Sequence, residues 1–264
     1  GIGIPNEETQ SNTFQENNLG MLKLSTKYQP DTNNQLEYEI FGQLSQSEQD
    51  QRFFSSINQS IDQIEEVTPF NLSQNLNYYY TLDDKNIFAL EAQHVLKDED
   101  PLYNAILEDK FSYDDTAENL GLDQFQSNYN LSQEKRVQSN QLDAKLDYWR
   151  ILNKKSNLNF TLGTVFSHQK FDSNIFQFLD DGSLYDSSPT DVSDVNSIDY
   201  RFTDLYLGLH YRLKTGIFTV TPGISGHVYN VNNIQFGQKA TDNFFRFLPD
   251  LNVIVQLKKS ETLN

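Results

Sequence analysis

The sequence predicts an all-β chain: an antiparallel up-and-down transmembrane β-barrel, incomplete, with about nine strands present. Three observations predict it. Apolar and polar residues alternate with a period of two over segments of about ten residues. The connections between these segments alternate between about three to seven residues and about fifteen to forty. Aromatic rings gather beside the short connections, where an amphipathic ring prefers a membrane interface.

The hairpin over 200–229 shows the alternation most plainly. Leu205, Leu207, Leu209, Tyr211 and Leu213 interleave with Asp204, Tyr206, Gly208, His210 and Arg212. After Lys214-Thr215-Gly216, the return arm puts Phe218, Val220, Ile224 and Val228 on one parity and Thr219, Thr221, Ser225 and His227 on the other. Pairing Leu213 with Phe218 and Tyr211 with Val220 would bring both apolar faces to one side, as an antiparallel register requires.

The same unit recurs along the chain, with strands expected near 19–28, 35–45, 70–82, 86–97, 139–152, 157–168, 200–213, 217–229 and 247–257. Residues 1–16 are polar and aperiodic and read as the tail of a loop. Gln29-Pro30-Asp31-Thr32-Asn33-Asn34, Asp83-Asp84-Lys85 and Asn153-Lys154-Lys155-Ser156 are dense in turn formers. Segments 45–69, 97–138, 171–199 and 230–243 read as long loops on the opposite rim. Tyr28, Tyr80, Tyr148, Trp149 and Tyr211 precede short turns, and Phe88, Phe160 and Phe218 follow them. These rings are the expected lipid-facing girdle.

Composition narrows the alternatives. Apolar residues make up 37% of the 264, enough for one apolar face per strand and too little for a thick two-sided core. There is no cysteine, so no disulfide or thiolate metal site can form. A net charge of −17 argues against nucleic acid or an anionic membrane surface as the main partner. No apolar run reaches the length of a membrane helix, and no secretory signal pattern is present. The chain opens at Gly1 rather than Met and stops in a turn, so it reads as a piece of a longer protein. A soluble secreted β-sheet binding protein, built as an antiparallel sandwich or solenoid, is the rival reading. It leaves the one-sided distribution of connection lengths without a cause.

The chain carries weak signals for chemistry. His94, His168, His210 and His227 are far apart and on mixed parities, so a shared metal is not expected. Asp180-Asp181-Gly182 with Asp186, Asp191 and Asp194 has the oxygen ligands for Ca²⁺ without the spacing of an EF-hand, and solvated charge is the favoured reading. Tyr103, Phe111, Tyr113, Phe176 and Tyr185, set among carboxylates and amides, are candidate ligand contacts that could form a sugar-stacking surface. No nucleophile elbow, phosphate-cradling glycine loop or zinc helix is present, so neither an enzyme activity nor a cofactor is expected.

The segment Phe245-Arg246-Phe247-Leu248-Pro249-Asp250-Leu251-Asn252-Val253 and the following Val255-Gln256-Leu257-Lys258-Lys259-Ser260 resemble barrel segments of TonB-dependent outer-membrane receptors of the Bacteroidota type. So does the repeated form of strand, leucine, polar turn and Leu or Phe strand at Leu82 to Phe88 and Leu152 to Phe160. Such barrels have about twenty-two strands, so nine would be under half of one. The resemblance implies a place in the cell outer membrane of a Gram-negative bacterium. It implies active uptake of a large solute such as a ferric siderophore, glycan or peptide. The implied partners are outer-membrane lipid, the receptor's own plug domain and TonB, both outside this chain, and a surface lipoprotein. The polar parity would face the lumen or the plug through Lys23, Glu37, Glu39, Asn75, Asn77, Asp143, Lys145, Asp147, Asp204, His210 and Arg212. A porin or an assembly or export barrel is the alternative at the same location.

Overall fold

The computed structural model describes residues 7–56, 59–185, 196–258 and 261–263. Nine long lines of strand run antiparallel, each paired with its neighbours in chain order. They are β1 (Thr9–Tyr28), β2 (Asn34–Ser55), β3 (Gln59–Val67) with β4 (Phe70–Asp83), β5 (Asn86–Glu99) with β6 (Leu102–Leu107), β7 (Tyr129–Asn153), β8 (Ser156–Phe178), β10 (Asn196–Thr215), β11 (Phe218–Gln235) and β12 (Gln238–Lys258). Short β9 (Leu184–Tyr185) adds to β8, β13 (Glu261–Leu263) pairs with β12, and α1 (Lys110–Asn119) is the one helix among the described residues. The result is a nearly all-β, barrel-like, up-and-down sheet.

Two lines are broken at the same height for one reason. β3 and β4 both pair with β2, Val67 opposite Ser47 and Phe70 opposite Leu44, so they are a single strand interrupted at Thr68-Pro69. β5 and β6 both pair with β7 and are interrupted at Asp100-Pro101. Proline has no N–H for the ladder. Its carbonyl still serves: Ser45 N donates to Pro69 O at 3.1 Å and Lys135 N to Pro101 O at 2.9 Å. Thr68 N donates to Asp100 Oδ1 across the break.

The short turns share one chemistry. Asp31 Oδ1 accepts from the backbone N–H of Asn33 and Asn34 at 2.7 and 2.8 Å, Asp83 Oδ1 from Lys85 at 2.7 Å, and Asn153 Oδ1 from Lys155 at 2.8 Å. These are side chains standing in for a backbone turn acceptor. In the first two turns the Asn three residues on donates its amide back to the Asp, and its oxygen accepts a tyrosine hydroxyl from the following strand. Tyr78 reaches Asn34 at 2.7 Å and Tyr148 reaches Asn86 at 2.6 Å. Turn and aromatic rim are therefore tied together.

Several expectations need correction. The chain is already strand from Thr9, where a loop tail was expected. The excursions do lie on one rim, but most of their length is strand: β2 runs on to Ser55, β7 begins at Tyr129 and β8 ends at Phe178. Segment 230–243 is not a loop, because β11 and β12 continue to a two-residue connection, Phe236-Gly237, both with positive φ. Polar strands with alternating amides and hydroxyls carry no hydrophobic period and look like loop in sequence. In the central hairpin Leu213 faces Val220 and Thr215 faces Phe218, a slip of two residues from the expected pairing. Gly216, at φ 58°, permits a tight turn matched to strand twist, and a shift of two leaves every side chain on its expected face.

Candidate functional site: the two faces of the sheet

The register places every anticipated lumen residue on one face. One rung joins Lys27, Glu37, Asn77, Glu91, Lys145, Gly163, Tyr206, His227 and Arg246. The opposite parity joins Tyr28, Leu36, Tyr78, Leu90, Leu146, Leu162, Leu207, Gly226 and Phe247 through the same pairings. Exposure is inverted relative to a soluble sheet. Leu207 and Phe247 are 65% and 67% exposed, whereas Asp147 and Asp204 on the other face are 6% and 7% exposed. A curved sheet shelters its concave side, so the polar face is concave and the apolar face convex. Among the described residues no second layer covers the leucines.

The apolar run is a band ten to twelve residues long, twelve on β11 (230 − 218), that slides obliquely across the strands from β10 to β1. On β10 its first polar outward position is Thr203 and its last apolar one Leu213, ten residues on (213 − 203). On β1 the corresponding positions are Asn18 and Tyr28, again ten apart (28 − 18). Thr203 shares its rung with Phe166, Leu142, His94, Gln74, Ile40 and Leu24, so both edges shift by six residues (24 − 18) over six strand steps. Six residues are about 20 Å along a strand and six steps about 29 Å across the sheet, a slope of about 35°. That is the strand tilt of membrane barrels. The polar interruptions inside the band satisfy one another: Tyr38 donates to Gln74 at 2.7 Å, Gln74 meets His94 at 3.1 Å, and His94 meets Asn140 at 2.9 Å.

Tyr80, Phe88, Tyr148 and Phe160 form one stacked row near the short-turn rim, with centroids 6.3, 4.8 and 6.0 Å apart. Tyr28, Tyr211 and Phe218 share their face. Trp149 does not: it follows Tyr148 directly and so points to the concave side with Ile87 and Asn159.

On the concave face carboxylates and cations pair across strands, Lys23 with Glu39 at 2.9 Å, Lys27 with Glu37 at 2.7 Å and Lys145 with Glu91 at 3.0 Å. Two histidines are each held by their own carboxylate, His210 by Asp250 at 3.0 Å and His227 by Asp204 at 2.8 Å. His227 also meets Ser225 Oγ at 2.9 Å and is sandwiched between the rings of Tyr206 and Tyr229. The Ser225–His227–Asp204 line has the distances of a nucleophile, a base and its orienter. β11 is paired on both sides, which commits its backbone N–H groups to the ladder and leaves none to stabilise an oxyanion. The trio fixes a ring.

Beyond the band the connection from β6 to β7 folds back against the concave face. Its helix ends at Leu120-Gly121, where Gly121 has φ 69° and Leu122 N bonds Ala117 O at 2.9 Å, a glycine cap the sequence does display. The buried Tyr129 hydroxyl donates to Asp114 at 2.5 Å. Burial first, then the bond to Asp114 and its charge, pushes the Tyr129 phenol up to about 12. Gln177, also buried, uses both amide atoms on the Asp123 backbone, at 2.8 and 3.0 Å. Asp180 accepts from Ser127 N and Oγ, and Asp181 from Ser183, so both carboxylates are used by local donors. Asp186, Asp191 and Asp194 lie outside the described residues. No metal-ligand cluster occurs among the described residues.

The five aromatic candidates do not converge. Tyr103 lies on the concave parity, on a rung with Gln133 and Ile175, whereas Phe176 has the opposite parity and packs edge-on against Phe178 at 5.4 Å. Phe111 and Tyr113 are on α1, with Phe111 fully displayed to solvent. Tyr185 is two rungs from Tyr103, across from Gln177.

The fold and its two faces define a barrel-like β-sheet with an apolar convex band and a polar concave wall. No protein-family model and no curated protein sequence matches the chain. Among solved structures it is similar to the ferric citrate transporter FecA (11% identity, TM-score 0.36, covering 94% of this chain and 43% of that one). It is also similar to the siderophore receptor PiuA from Acinetobacter baumannii (9%, 0.46, 96% and 47%) and to BauA, the ferric preacinetobactin receptor of the same organism (7%, 0.45, 95% and 45%). The chain spans less than half the length of each.

Proposed function

We propose that this chain forms part of the wall of an outer-membrane active-uptake channel of the TonB-dependent receptor type. One observation carries the reading: from β10 to β1 the uncovered apolar band descends at about 35° across the strands, as a bilayer would cut a tilted barrel wall. In hydrocarbon every backbone polar group needs a partner, so the edge of β1 that is unpaired among the described residues calls for a neighbouring strand and a closed wall. The concave polar face would then line a lumen occupied by a plug domain, with TonB acting on that plug. The longer polar ends of the strands would stand outside the cell and meet a large solute. The Bacteroidota type and a surface lipoprotein partner rest on the sequence resemblance alone.

The test is fractionation of the full-length gene product expressed in a Gram-negative host. It should sediment with the outer membrane, withstand a carbonate wash, need detergent for release, and migrate differently on gels before and after boiling. Release into the wash without detergent would end this reading.

A further inference from the structure

Above the band, the concave wall contains a cavity of about 400 Å³. Its polar lining includes Gln49 and Gln51 from β2, Gln63 and Glu65 from β3, Tyr103 from β6 and Gln133 from β7, with Leu131 and Ile175 among its apolar lining. Gln133 lies seven residues (140 − 133) beyond Asn140, where the band ends on β7, so the cavity stands about 23 Å outside it along the strand. Two rungs farther out, Gln177 braces the connection that carries α1. The cavity is therefore at the mouth, beneath a folded-back segment.

We infer that this cavity binds a short neutral oligosaccharide, a di- or trisaccharide stretch of a glycan, and so names the substrate class of the proposed channel. The inference rests on that reading for its biological sense and on the cavity alone for its chemistry. Primary amides donate and accept at once, which suits hydroxyl groups that do the same. The amides of Gln49 and Gln63 have no hydrogen-bond partner among the described residues, and Gln133 uses one donor on Ser173 at 3.0 Å, keeping its oxygen. The Tyr103 ring stands across the ladder from Glu65, and Lys135 Nζ lies 4.6 Å from its centroid. The ring lines the cavity together with Leu131 and Ile175, an apolar surface suited to the C–H side of a sugar ring.

Competing ligands fit poorly. An anionic ferric chelate would meet Glu65, and the nearest cation, Lys135, is already engaged with the Tyr103 ring. A peptide recognised by strand addition needs an open edge, but β2, β3, β6 and β7 are paired in series around the cavity. The volume is at the small end for ligand pockets.

The test uses the purified full-length gene product in detergent. Maltotriose, cellotriose, xylotriose and chitotriose are screened by calorimetry beside ferric citrate and an oligogalacturonate. At least one neutral trisaccharide should bind; Tyr103→Ala should weaken it about tenfold or more and Gln133→Ala several-fold, whereas Tyr103→Phe, which keeps the ring, should lose less. Unchanged gel mobility shift and circular dichroism establish that each variant is folded. No binding by any neutral sugar, binding indifferent to Tyr103→Ala and Gln133→Ala, or preference for either anion would overturn the inference. A membrane-integrated protein that binds none of the sugars loses this inference and keeps the channel. A soluble protein that binds one through Tyr103 does the reverse.

Discussion

Placing a charge in the middle of the apolar band tests whether that band meets hydrocarbon. On β10 the outward run from Leu205 to Leu213 spans eight residue steps (213 − 205), about 26 Å along the strand and about 21 Å along the membrane normal at a 35° tilt. Leu209 is its midpoint, so Leu209→Arg puts a guanidinium about 11 Å from either edge. At such a depth in a membrane barrel the cost is about 2–4 kcal/mol, whereas Thr203→Arg, on the same face just beyond the band, should cost about 0–1 kcal/mol. The two sites differ by six residues (209 − 203) and share strand and face, so the comparison isolates depth from position in the sheet to within the difference in β-propensity between Leu and Thr. The assay is equilibrium urea unfolding of the full-length gene product refolded into lipid vesicles. On the surface of a water-soluble sheet, both substitutions would fall within about 0.5 kcal/mol of the parent. Equal and small effects at Leu209 and Thr203 would therefore refute the membrane-facing assignment.

Gly163 lies under the Tyr206 ring, and a Cβ there would overlap it. Gly163→Ala should cost about 1–3 kcal/mol by overpacking, and Tyr206→Ala in the same chain should remove most of that penalty in a double-mutant cycle. The raised Tyr129 phenol is protonated when folded, so its contribution is complete below pH 10 and drains away as pH climbs towards 12. Hydrogen exchange over 110–126 should accelerate across that window, and Tyr129→Phe should flatten the response. Arg52 grips Asp62 through two bonds of 2.6 Å and holds its carboxyl below the usual range. Its stabilisation is present above about pH 4 and disappears as pH falls through the depressed value. Because the pair is solvent-exposed, Arg52→Ala should shift the unfolding midpoint only slightly, less still in high salt.

Much of this architecture could be read from residues close in sequence. Side-chain parity follows from backbone geometry alone, so Leu205 to Leu213 and their polar neighbours assigned themselves to two faces before any partner strand was known. The turns at Asp31, Asp83 and Asn153 were equally legible, because an Asx side chain bonds its own backbone two or three residues away. What could not be read was how far the strands continue. Between Ser45 and Ser55 nothing apolar repeats, and those residues are strand only because β1 and β3 supply ladder partners from elsewhere in the chain. Register is likewise a pairwise property, and a slip of two at Gly216 costs no change of face, so the sequence held no penalty against it. Tyr103 was singled out with four other rings, but its company of Gln49, Gln63 and Gln133 comes from three other strands. Which face a residue takes is thus a local matter, settled by the period of the backbone; the oblique course of the band and the cavity at its mouth exist only once the strands are laid side by side.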